Sequence, residues 1–198
     1  MAEFPPFYDN LAACHVELWQ RLKDGVTDRD SAFHTPALAT IDPHGRPQVR
    51  AVVLRDADRA AGTLRFHCDR RSEKAAEIAT TRTAALQAYD RDAKMQIRVD
   101  GTAELHTDGW FAESIWTQAQ PMSRAVYGIA PGPGTALPNG GDYTLPDRDE
   151  AILAGRENFC VVVLRAERLE FLYLDRRGHR RALWLRSEAG WVETWLAP

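Results

Sequence analysis

Nine short runs of β-favouring residues, most of them joined by turn-forming residues, restrict this chain to an antiparallel sheet. The clearest run is Met95–Leu105, where Ile97 and Val99 alternate with Arg98 and Asp100, so one face lies in a core. The others are Pro36–Ile41, Gln48–Leu54, Thr63–Cys68, Ala84–Tyr89, Phe159–Leu164, Arg168–Tyr173, Arg180–Leu185 and Trp191–Leu196. We therefore expect a mainly β (α+β) fold, a β-barrel closed on itself with peripheral helices.

Helical patterns occur at four places between and before these strands. Residues Phe7–Lys23 repeat apolar side chains every three or four positions, with Asp9 placed to cap the start and Gly25 to end the helix. Ser72 opens a second run of helix formers as a serine N-cap would. The four predicted helices are Phe7–Lys23, Ser72–Thr80, Asp108–Gln118 and Asp147–Gly155. They are too few to alternate with nine strands, which again favours an antiparallel sheet.

The 198 residues contain no internal repeat and no clear linker, so we expect one domain over residues 1–198. Residues 1–25 form its N-terminal helical region. Residues 120–146 form a loop that is crowded with glycine and proline over Tyr127–Tyr143. Long loops without regular structure usually serve a function, which predicts a lid or an interface here.

Charge and cysteine content exclude several classes of protein. The formal net charge of −3 argues against a surface built for nucleic acid or for a membrane. No run approaches the ~20 apolar residues of a spanning helix. Cys14, Cys68 and Cys160 are odd in number and widely spaced, so they predict neither a disulfide framework nor a zinc site. We expect a soluble cytoplasmic protein.

The densest set of candidate functional residues is cationic. Its members flank one predicted strand and precede a predicted helix: Arg50, Arg55, Arg70, Arg71, Ser72 and Lys74. Guanidinium groups, a hydroxyl, an ammonium group and helix N–H groups are together the parts of a phosphate site. Solvated charges at strand ends are the alternative, and composition alone favours that alternative.

Surface positions are also the simpler explanation of two further candidates. Gln96 shares a face with Arg98 and Asp100, and the basic turn Arg176–Arg181 has the composition of a hairpin tip. Motifs of several common enzymes are missing, among them GxxxxGK[ST], HExxH and GxSxG. The six histidines form no i,i+4 pair, so we expect no metal site.

Four motifs, taken in order, resemble the pyridoxamine 5′-phosphate oxidase family: RAVVLR (Arg50–Arg55), FHCDRRSEK (Phe66–Lys74), MQIRVDGTAE (Met95–Glu104) and LEFLYLDRRGHRR followed by WVETWLAP. The resemblance runs from about Pro36 to the C-terminus and is weak over Gly109–Gly155. It implies an antiparallel Greek-key split β-barrel, FMN as cofactor and a homodimer with FMN at the subunit interface. The apolar side chains available for that interface are Trp110, Phe111, Trp116 and Tyr127.

The resemblance also implies cofactor contacts, residue by residue. The backbone at Val52–Leu54 would lie beside the flavin ring, with a phosphate site at one end. The candidate cofactor-binding residues are Arg50, Val52, Val53, Leu54, Arg55, His67, Cys68, Ser72, Lys74, Gln96 and Arg181. Glu73 stands where the family has an arginine, so the phosphate site is one cation short unless Arg70 or Arg71 replaces it.

On the substrate side, Arg177 and His179 fall on the family's arginine-x-histidine, which contacts the substrate. Leu172 replaces a tryptophan on the flavin side. Trp110 and Ser114 stand near the tyrosine and arginine that hold the substrate phosphate. A phosphate dianion would lose charge-assisted hydrogen bonds there, so vitamin B6 phosphate is not the expected substrate. No catalytic side chain is assigned, because the flavin performs the redox step.

The resemblance therefore predicts an FMN-dependent oxidoreductase acting on a small molecule. A flavin reductase or a deazaflavin-dependent oxidoreductase with a related barrel is the first alternative. The second is a non-catalytic protein that holds flavin or haem, for which His67, His106 and His179 are the candidate iron ligands. A dimeric scaffold that has lost its cofactor is the third, suggested by Glu73 and Leu172.

Overall fold

The computed structural model describes residues 3–146 and 153–198, and its centre is a nine-stranded sheet in which every strand pairing is antiparallel. The strands are β1 (Ala37–Ile41), β2 (Pro47–Ala51), β3 (Leu54–Asp58), β4 (Thr63–Asp69), β5 (Thr83–Asp90), β6 (Met95–His106), β7 (Phe159–Tyr173), β8 (Arg180–Ser187) and β9 (Gly190–Leu196). Their order is β2-β1-β5-β6-β7-β4-β3, with β8 paired to β7 and β9 to β8. The predicted antiparallel β class is confirmed.

The expectation of a sheet closed on itself is wrong. The path of paired strands ends at β2 on one side and at β3 on the other, and no pairing joins these two strands in the described part of the chain. The predicted strand Gln48–Leu54 breaks after Ala51, because the Val52 and Leu54 N–H groups donate to the Pro36 and His34 carbonyls (3.0 and 2.9 Å). This break separates β2 from β3 and leaves the barrel split.

Three helices lie against the sheet, α1 (Leu11–Thr27), α2 (Glu73–Thr81) and α3 (Gly109–Gln118), and a short helix without buried residues, α4 (Pro121–Ala125), follows α3. The cap of α1 is Asn10, whose side chain accepts from the Ala13 N–H (2.9 Å), and not Asp9 as predicted. Gly25 lies within α1 instead of ending it, and its lack of a Cβ lets the Phe33 backbone pack closely, since a Cβ there would be 2.6 Å from that backbone. The helix predicted over Asp147–Gly155 falls mostly on residues 147–152, outside the described residues.

The two strands predicted over Phe159–Leu164 and Arg168–Tyr173 are one long strand, β7, with a bulge. Asp100 lies opposite Arg168 and Gly101 opposite Ala166, so Glu167 is an extra residue in β7. Gly101 allows this bulge, since a Cβ there would be 2.0 Å from the Arg165 carbonyl oxygen.

The bulge reverses the alternation of side chains along β7. Before it the core residues have even numbers, and after it they have odd ones: Cys160, Val162, Leu164 and Ala166, then Leu169 and Phe171. The residues on the other face change accordingly, so Phe159 and Val161 lie under α3 while Glu170 and Leu172 face away from the core.

One large apolar core fills the inside of the sheet, with a smaller cluster outside it. Trp184, Phe33, Phe66 and Phe171 are among its fully buried side chains. The smaller cluster joins α3 to β7 through Ile115, Trp116, Phe159 and Val161. Within residues 3–146 and 153–198, no helix combines the length and the apolar character needed to cross a membrane.

Candidate functional site

Two clefts lie at opposite ends of the segment Arg50–Arg55. The small cleft, of about 170 Å³, is lined by Arg50, Ser72, Glu73, Lys74, Pro133 and Gly134. The wide cleft, of about 720 Å³, is lined by Arg29, Arg55, Arg65, His67, Ile115, Gln118, Ala119, Gln120, Met122, Ser123, Val126, Tyr127 and Phe159. The structure thus places Arg50, Ser72 and Lys74 together, as predicted, and brings Arg55 and His67 together elsewhere.

The small cleft is built around the start of α2. Ser72 occupies the N-cap position with extended backbone, but its hydroxyl donates to the Asp69 carbonyl (2.6 Å) instead of capping the helix. The Glu73 and Lys74 N–H groups have no partner among the described residues and remain available to an anion, while the Ala75 N–H donates to the Ser72 carbonyl (3.0 Å). Lys74 makes no hydrogen bond or ion pair with the described residues, so its ammonium group is available as well.

Arg50 is held in place by a buried acid. One guanidinium nitrogen donates to Glu77 Oε2 (3.0 Å), and another donates to the Thr40 hydroxyl, which itself donates to Glu77. Glu77 and Thr40 are both buried. The Glu77 carboxylate balances much of the Arg50 charge and fixes where its guanidinium lies at the cleft.

Neither Arg70 nor Arg71 supplies the cation that Glu73 has replaced. The Arg71 guanidinium contacts Asp69 and donates to the Tyr127 and Ile129 carbonyls (3.2 and 3.0 Å), so it fastens the glycine- and proline-rich loop to the end of β4. Arg70 makes one long contact to the Glu157 carbonyl (3.5 Å), and neither side chain lines the small cleft. Therefore neither arginine takes the place of the family's arginine at the position of Glu73.

The backbone between β2 and β3 is only partly satisfied. Val52 and Leu54 donate their N–H groups to the Pro36 and His34 carbonyls, as described above. Val53 lies between them, half-buried, and its N–H has no partner within residues 3–146 and 153–198. A single free donor flanked by two fixed ones is suited to a ligand edge that lies along this segment.

The wide cleft has a cationic wall and an aromatic wall. Arg29 and Arg55 form no ion pair with any described carboxylate. Arg65 has one long ion pair, with Asp56 at 3.7 Å, and a contact to the Arg55 carbonyl at 3.5 Å. Burial, with the nearby charges of Arg65 and Arg55, lowers the pKa of His67 to about 3, so this imidazole is neutral at physiological pH. The Nε2 of His67 and the Nε of Arg65 are buried without a partner among the described residues.

Alternation along β4 separates His67 from Cys68. His67 lies on the cleft side, where its ring packs edge-on against Phe159 with centroids 5.0 Å apart, while Cys68 lies in the core opposite Cys160. A hydrogen bond with Cys160 and burial raise the pKa of the Cys68 thiol, so it stays protonated. Only the backbone of Cys68 is left to contact a cofactor.

Gln96 and Arg181 lie in one row across the outer face of the sheet, on either side of Leu172. Gln96 accepts from the Gln87 amide (3.3 Å). Arg181 pairs with Glu170, a carboxylate that is 2% exposed, through Nε (3.0 Å) and Nη2 (2.8 Å). Both predicted cofactor residues are thus on one face, and the Arg181 guanidinium is already oriented by a buried acid.

Arg177 and His179 lie in the turn between β7 and β8. Arg177 forms an ion pair with Asp175 (2.9 Å), and its guanidinium lies 3.8 Å from the centre of the Phe4 ring. His179 accepts from the Asp175 N–H through Nδ1 (3.1 Å). The turn is therefore ordered by Asp175 and covered by the N-terminal segment, and neither residue lines either cleft.

Several predicted surface roles differ from the structure. Of the four apolar residues expected at an interface, Trp110 is 82% exposed, Phe111 and Tyr127 are half-buried, and Trp116 is buried in the smaller cluster. Ser114 donates its hydroxyl to the Phe111 carbonyl (2.8 Å), and neither Trp110 nor Ser114 lines the wide cleft. His106 packs edge-on against Phe111, with ring centroids 5.1 Å apart.

Four residues that shape these sites were not predicted from the sequence. Arg29 and Arg65 line the wide cleft, while Glu77 and Glu170 hold Arg50 and Arg181. Arg29 belongs to no motif. Glu170 stands inside the LEFLYL motif on the side of the strand away from Leu169 and Phe171, so its position in a strand was the available signal.

The residues present fit FMN. The small cleft offers Lys74, Arg50 and helix N–H groups to a phosphate, and the Val53 N–H is a free donor for a ring edge. Partnerless nitrogens at His67 and Arg65 lie at the wall beyond Arg55. Within the described residues, no group of three or more His, Cys, Asp or Glu is placed to hold a metal ion.

Comparison with known proteins gives consistent matches. Residues 16–107 match the family model described as pyridoxamine 5′-phosphate oxidase, FMN-binding domain. Pyridoxine/pyridoxamine 5′-phosphate oxidase 2 of Arabidopsis thaliana is 25% identical over 176 residues, which are 81% of this chain and 85% of that protein. A crystal structure of a pyridoxamine 5′-phosphate oxidase-related, FMN-binding protein from Nostoc punctiforme is 25% identical, covers 100% of both chains and has a TM-score of 0.68.

The fold is also shared with PhzG from Burkholderia lata, solved in complex with tetrahydrophenazine-1-carboxylic acid. That structure is 22% identical, covers 100% of this chain and 99% of PhzG, and has a TM-score of 0.71. The likeness therefore extends over the whole chain, including α3, α4 and the loop that follows them.

Proposed function

Because the chain belongs to the pyridoxamine 5′-phosphate oxidase-like family, we propose that it is an FMN-dependent oxidoreductase acting on a small molecule. The family and its cofactor agree with the four motifs of the sequence. The reaction, the substrate and the assembly are the subject of the proposal.

The observation that carries the proposal is the arrangement along Arg50–Arg55. Five residue steps span at most ~18 Å, and they join a cationic cleft at α2 to a cleft with an aromatic wall. Between them, the Val53 N–H lacks a partner among the described residues. A phosphate at one end, a ring along the middle and a substrate at the far end suit an elongated cofactor such as FMN.

Bound FMN would supply the two-electron redox step, and the protein supplies anchoring and orientation. Lys74 and Arg50 offset the phosphate charge, with the first N–H groups of α2 as further donors. The Val53 N–H, which has no partner among the described residues, would be available to hold the edge of the flavin ring. His67 is neutral because its pKa is about 3, so it holds a ligand by a hydrogen bond rather than by charge. The apolar wall around Phe159 excludes water.

The proposal includes a homodimer with FMN at its interface. Gln96 and Arg181 lie on an outer sheet face, and Arg177 and His179 lie in a turn, so neither pair lines the two clefts of its own subunit. Exposed apolar side chains such as Trp110 (82%) and Met122 (74%) are available for contact with a second copy. Sedimentation of the flavin-loaded protein as a monomer would refute this part.

The first experiment is a visible absorption spectrum of the purified protein, followed by mass analysis of the molecule released by heat. Two flavin bands and the mass of FMN support the proposal. A deazaflavin mass supports the related oxidoreductases instead, and a Soret band supports a haem protein. A colourless protein that does not bind added FMN would refute the proposed cofactor site.

Turnover is tested separately from binding. The FMN-loaded protein is mixed without oxygen with reduced heterocycles or with a nicotinamide donor, and bleaching of the flavin band is followed. Bleaching by a heterocycle supports the oxidoreductase, whereas bleaching by the nicotinamide donor alone supports a flavin reductase. A flavin that none of them reduces would favour a non-catalytic flavin carrier.

A cytoplasmic location is also proposed, on the basis of the thiols. Cys14, Cys68 and Cys160 are all free and buried, and Cys68 faces Cys160 across two strands without a disulfide. Free thiols in such a pair are typical of a reducing compartment. Fractionation of the source cells with an antibody to the protein tests this location.

A further inference from the structure

We propose that Arg71 is a positioning residue, which holds the turn Gly132–Thr135 at the small cleft and so slows the dissociation of bound FMN. This inference rests on the proposed function and deepens it, because it assigns the residue that makes FMN a resident cofactor instead of an exchangeable substrate. The Arg71 side chain does not line the small cleft, so it acts through the loop that it contacts.

A tight turn of the glycine- and proline-rich loop forms part of the wall of the small cleft. The Gly132 carbonyl accepts from the Thr135 N–H (3.3 Å) and from the Thr135 hydroxyl (2.8 Å). Pro133 and Gly134 occupy the two central positions, and the φ of +84° at Gly134 is typical of a type II turn. These two residues line the cleft together with Lys74. The turn therefore belongs to the cleft that is suited to the phosphate.

The turn packs on the Arg71 side chain. Between Ala130 and Leu145, a range that the structure describes completely, only Gly132 is half-buried and all other residues are exposed. A Cβ on Gly132 would lie 3.2 Å from the Arg71 Nε, so the backbone of the turn lies directly against this side chain. A segment with so little buried surface has few other contacts that keep it in one position.

The Arg71 guanidinium connects the loop to the end of β4. Its Nη2 donates to Asp69 Oδ2 (2.6 Å) and to the Tyr127 and Ile129 carbonyls (3.2 and 3.0 Å). Its Nε donates to Asp69 Oδ1 (3.0 Å). The Asp69 carbonyl in turn accepts from the Ser72 hydroxyl (2.6 Å). Asp69 thus holds the start of α2 directly and, through Arg71, the loop that lines the same cleft.

The stem of the loop is closed without Arg71. Ala130 and Thr144 exchange backbone hydrogen bonds (3.2 and 2.8 Å), and Asn158 Nδ2 donates to the Tyr127 carbonyl (2.9 Å). Loss of the guanidinium would therefore release the turn while its stem stays formed. Because the Arg71 side chain is 31% exposed, its ion pair contributes little to global stability. Variants of Arg71 are accordingly expected to fold.

A fixed turn affects release of the cofactor more than its capture. Arg50, Lys74 and the free N–H groups of α2 attract the phosphate whether or not the turn is held. Departure requires the wall formed by Pro133 and Gly134 to yield, so the dissociation rate depends on Arg71. A flavin that stays bound through reduction and reoxidation suits an oxidase, whereas a flavin reductase releases its flavin.

The kinetics of FMN exchange test the inference. Recovery of flavin fluorescence after dilution of the FMN-loaded protein gives the dissociation rate, and quenching on mixing with FMN gives the association rate. Arg71→Gln should dissociate FMN at least about tenfold faster, with an association rate within about threefold of the wild type. Arg70→Gln is the matched control, because it removes the same charge one residue away and outside the cleft. Both of its rates should stay within about twofold of the wild type.

Two further measurements test the turn itself. Gly134→Ala places a side chain at a φ of +84° and leaves the ion pair between Arg71 and Asp69 intact. The strain should loosen the turn and speed FMN dissociation at least about threefold. In protein without flavin, chymotrypsin should cut after Tyr127 at least about fivefold faster in Arg71→Gln than in Arg70→Gln, because the Tyr127 carbonyl has lost one of its donors.

The outcomes separate the two proposals. FMN binding with equal dissociation rates in the wild type and Arg71→Gln refutes only this inference, as does equally fast dissociation from Arg70→Gln. Protein that binds no FMN, but in which Arg71→Gln still speeds cleavage after Tyr127, refutes the cofactor site and supports the hold of Arg71 on the loop. Protein that binds no FMN and shows equal cleavage refutes both.

Discussion

Arginines at the two clefts are held in different ways. In the small cleft, Arg50 is fixed by Glu77 and Thr40, both buried, so its charge is already balanced within the fold. In the wide cleft, Arg29 and Arg55 have no acidic partner among the described residues. The first arrangement serves stability as well as binding. The second retains its charge for a ligand, and this difference separates a structural cation from a recognition cation.

The largest effect is expected from comparing Arg50→Ala with Arg55→Ala. Removing Arg50 leaves the Glu77 carboxylate buried without its partner, so the free energy of unfolding should fall by about 3–5 kcal/mol. Removing Arg55 breaks no ion pair and should change the free energy of unfolding by less than ~0.5 kcal/mol. Urea unfolding of the two variants measures both values.

A double variant controls for the loss of the arginine itself. Arg50→Ala combined with Glu77→Gln removes the unpaired charge and should regain part of the lost stability. Equal stability losses for Arg50→Ala and Arg55→Ala would abolish the distinction between the two clefts.

Cofactor affinity gives the second comparison. Lys74 has no protein partner in the described residues, so Lys74→Ala should leave stability nearly unchanged but weaken FMN by about 1.5–3 kcal/mol, the value of a hydrogen bond to a charged group. Quenching of flavin fluorescence during titration measures the affinity. Lys23→Ala, on an exposed position of α1, is the control and should bind FMN normally. A Lys74→Ala protein with unchanged affinity would exclude the small cleft as the phosphate site.

The pH dependence of the free energy of unfolding tests the burial of His67 at the wide cleft. The pKa of His67 is about 3 in the folded protein and 6.5 in its unperturbed form, so between these values the unfolded state binds more protons. Stability from neutral His67 is therefore lost as the pH falls below 6.5. Between pH 7 and 5 the wild type should lose about 1–2 kcal/mol more than His67→Gln.

Urea unfolding of both proteins without flavin, at pH 7 and pH 5, measures this difference. The comparison is between variants because other groups, such as His15 with its pKa lowered to about 4, titrate in both proteins. Parallel pH profiles of the two proteins would show that folding does not lower the pKa of His67.

The smallest effect is expected at Glu73. This acid lies in the first turn of α2, where its negative charge interacts favourably with the helix dipole and stabilises the helix. The same charge would repel a bound phosphate. Glu73→Gln should therefore lower the free energy of unfolding by about 0.3–1 kcal/mol while strengthening FMN binding by a similar amount. Thermal unfolding and FMN titration of the same variant measure the two effects. Changes of the same sign would show that Glu73 does not face the phosphate.

Strands with clear alternation were predictable, while those that depend on their neighbours were not. Met95–Leu105 was placed within one residue, because its side chains alternate in character. The strand Leu54–Asp58 was not predicted: Leu54 was assigned to the end of the preceding strand, and Arg55, Asp56 and Asp58 give the rest a turn-like composition. It is a strand because β4 pairs with it, which is a tertiary effect.

Motifs located the small cleft better than the wide one. Arg50, Ser72 and Lys74 lie within two motifs, and the fold brings these three members of the predicted cationic set to one cleft. The role of an arginine depends on which acid it meets, and Arg71 meets Asp69 only because the chain turns there. Arg29 is brought to the wide cleft from the loop after α1, so no local pattern identified it.

The bulge at Glu167 decides which side chains of β7 face the core. Upstream of this residue the even positions are internal, and downstream the odd ones are. Deleting Glu167 would remove the bulge and keep Leu169 and Phe171 inside, whereas one residue fewer elsewhere in β7 would turn the Glu170 carboxylate towards the core and Phe171 outwards. Most single deletions in a loop alter one connection. A deletion within β7 on either side of the bulge would invert a whole surface, so we expect Glu167 to be the position of this strand that best tolerates a deletion.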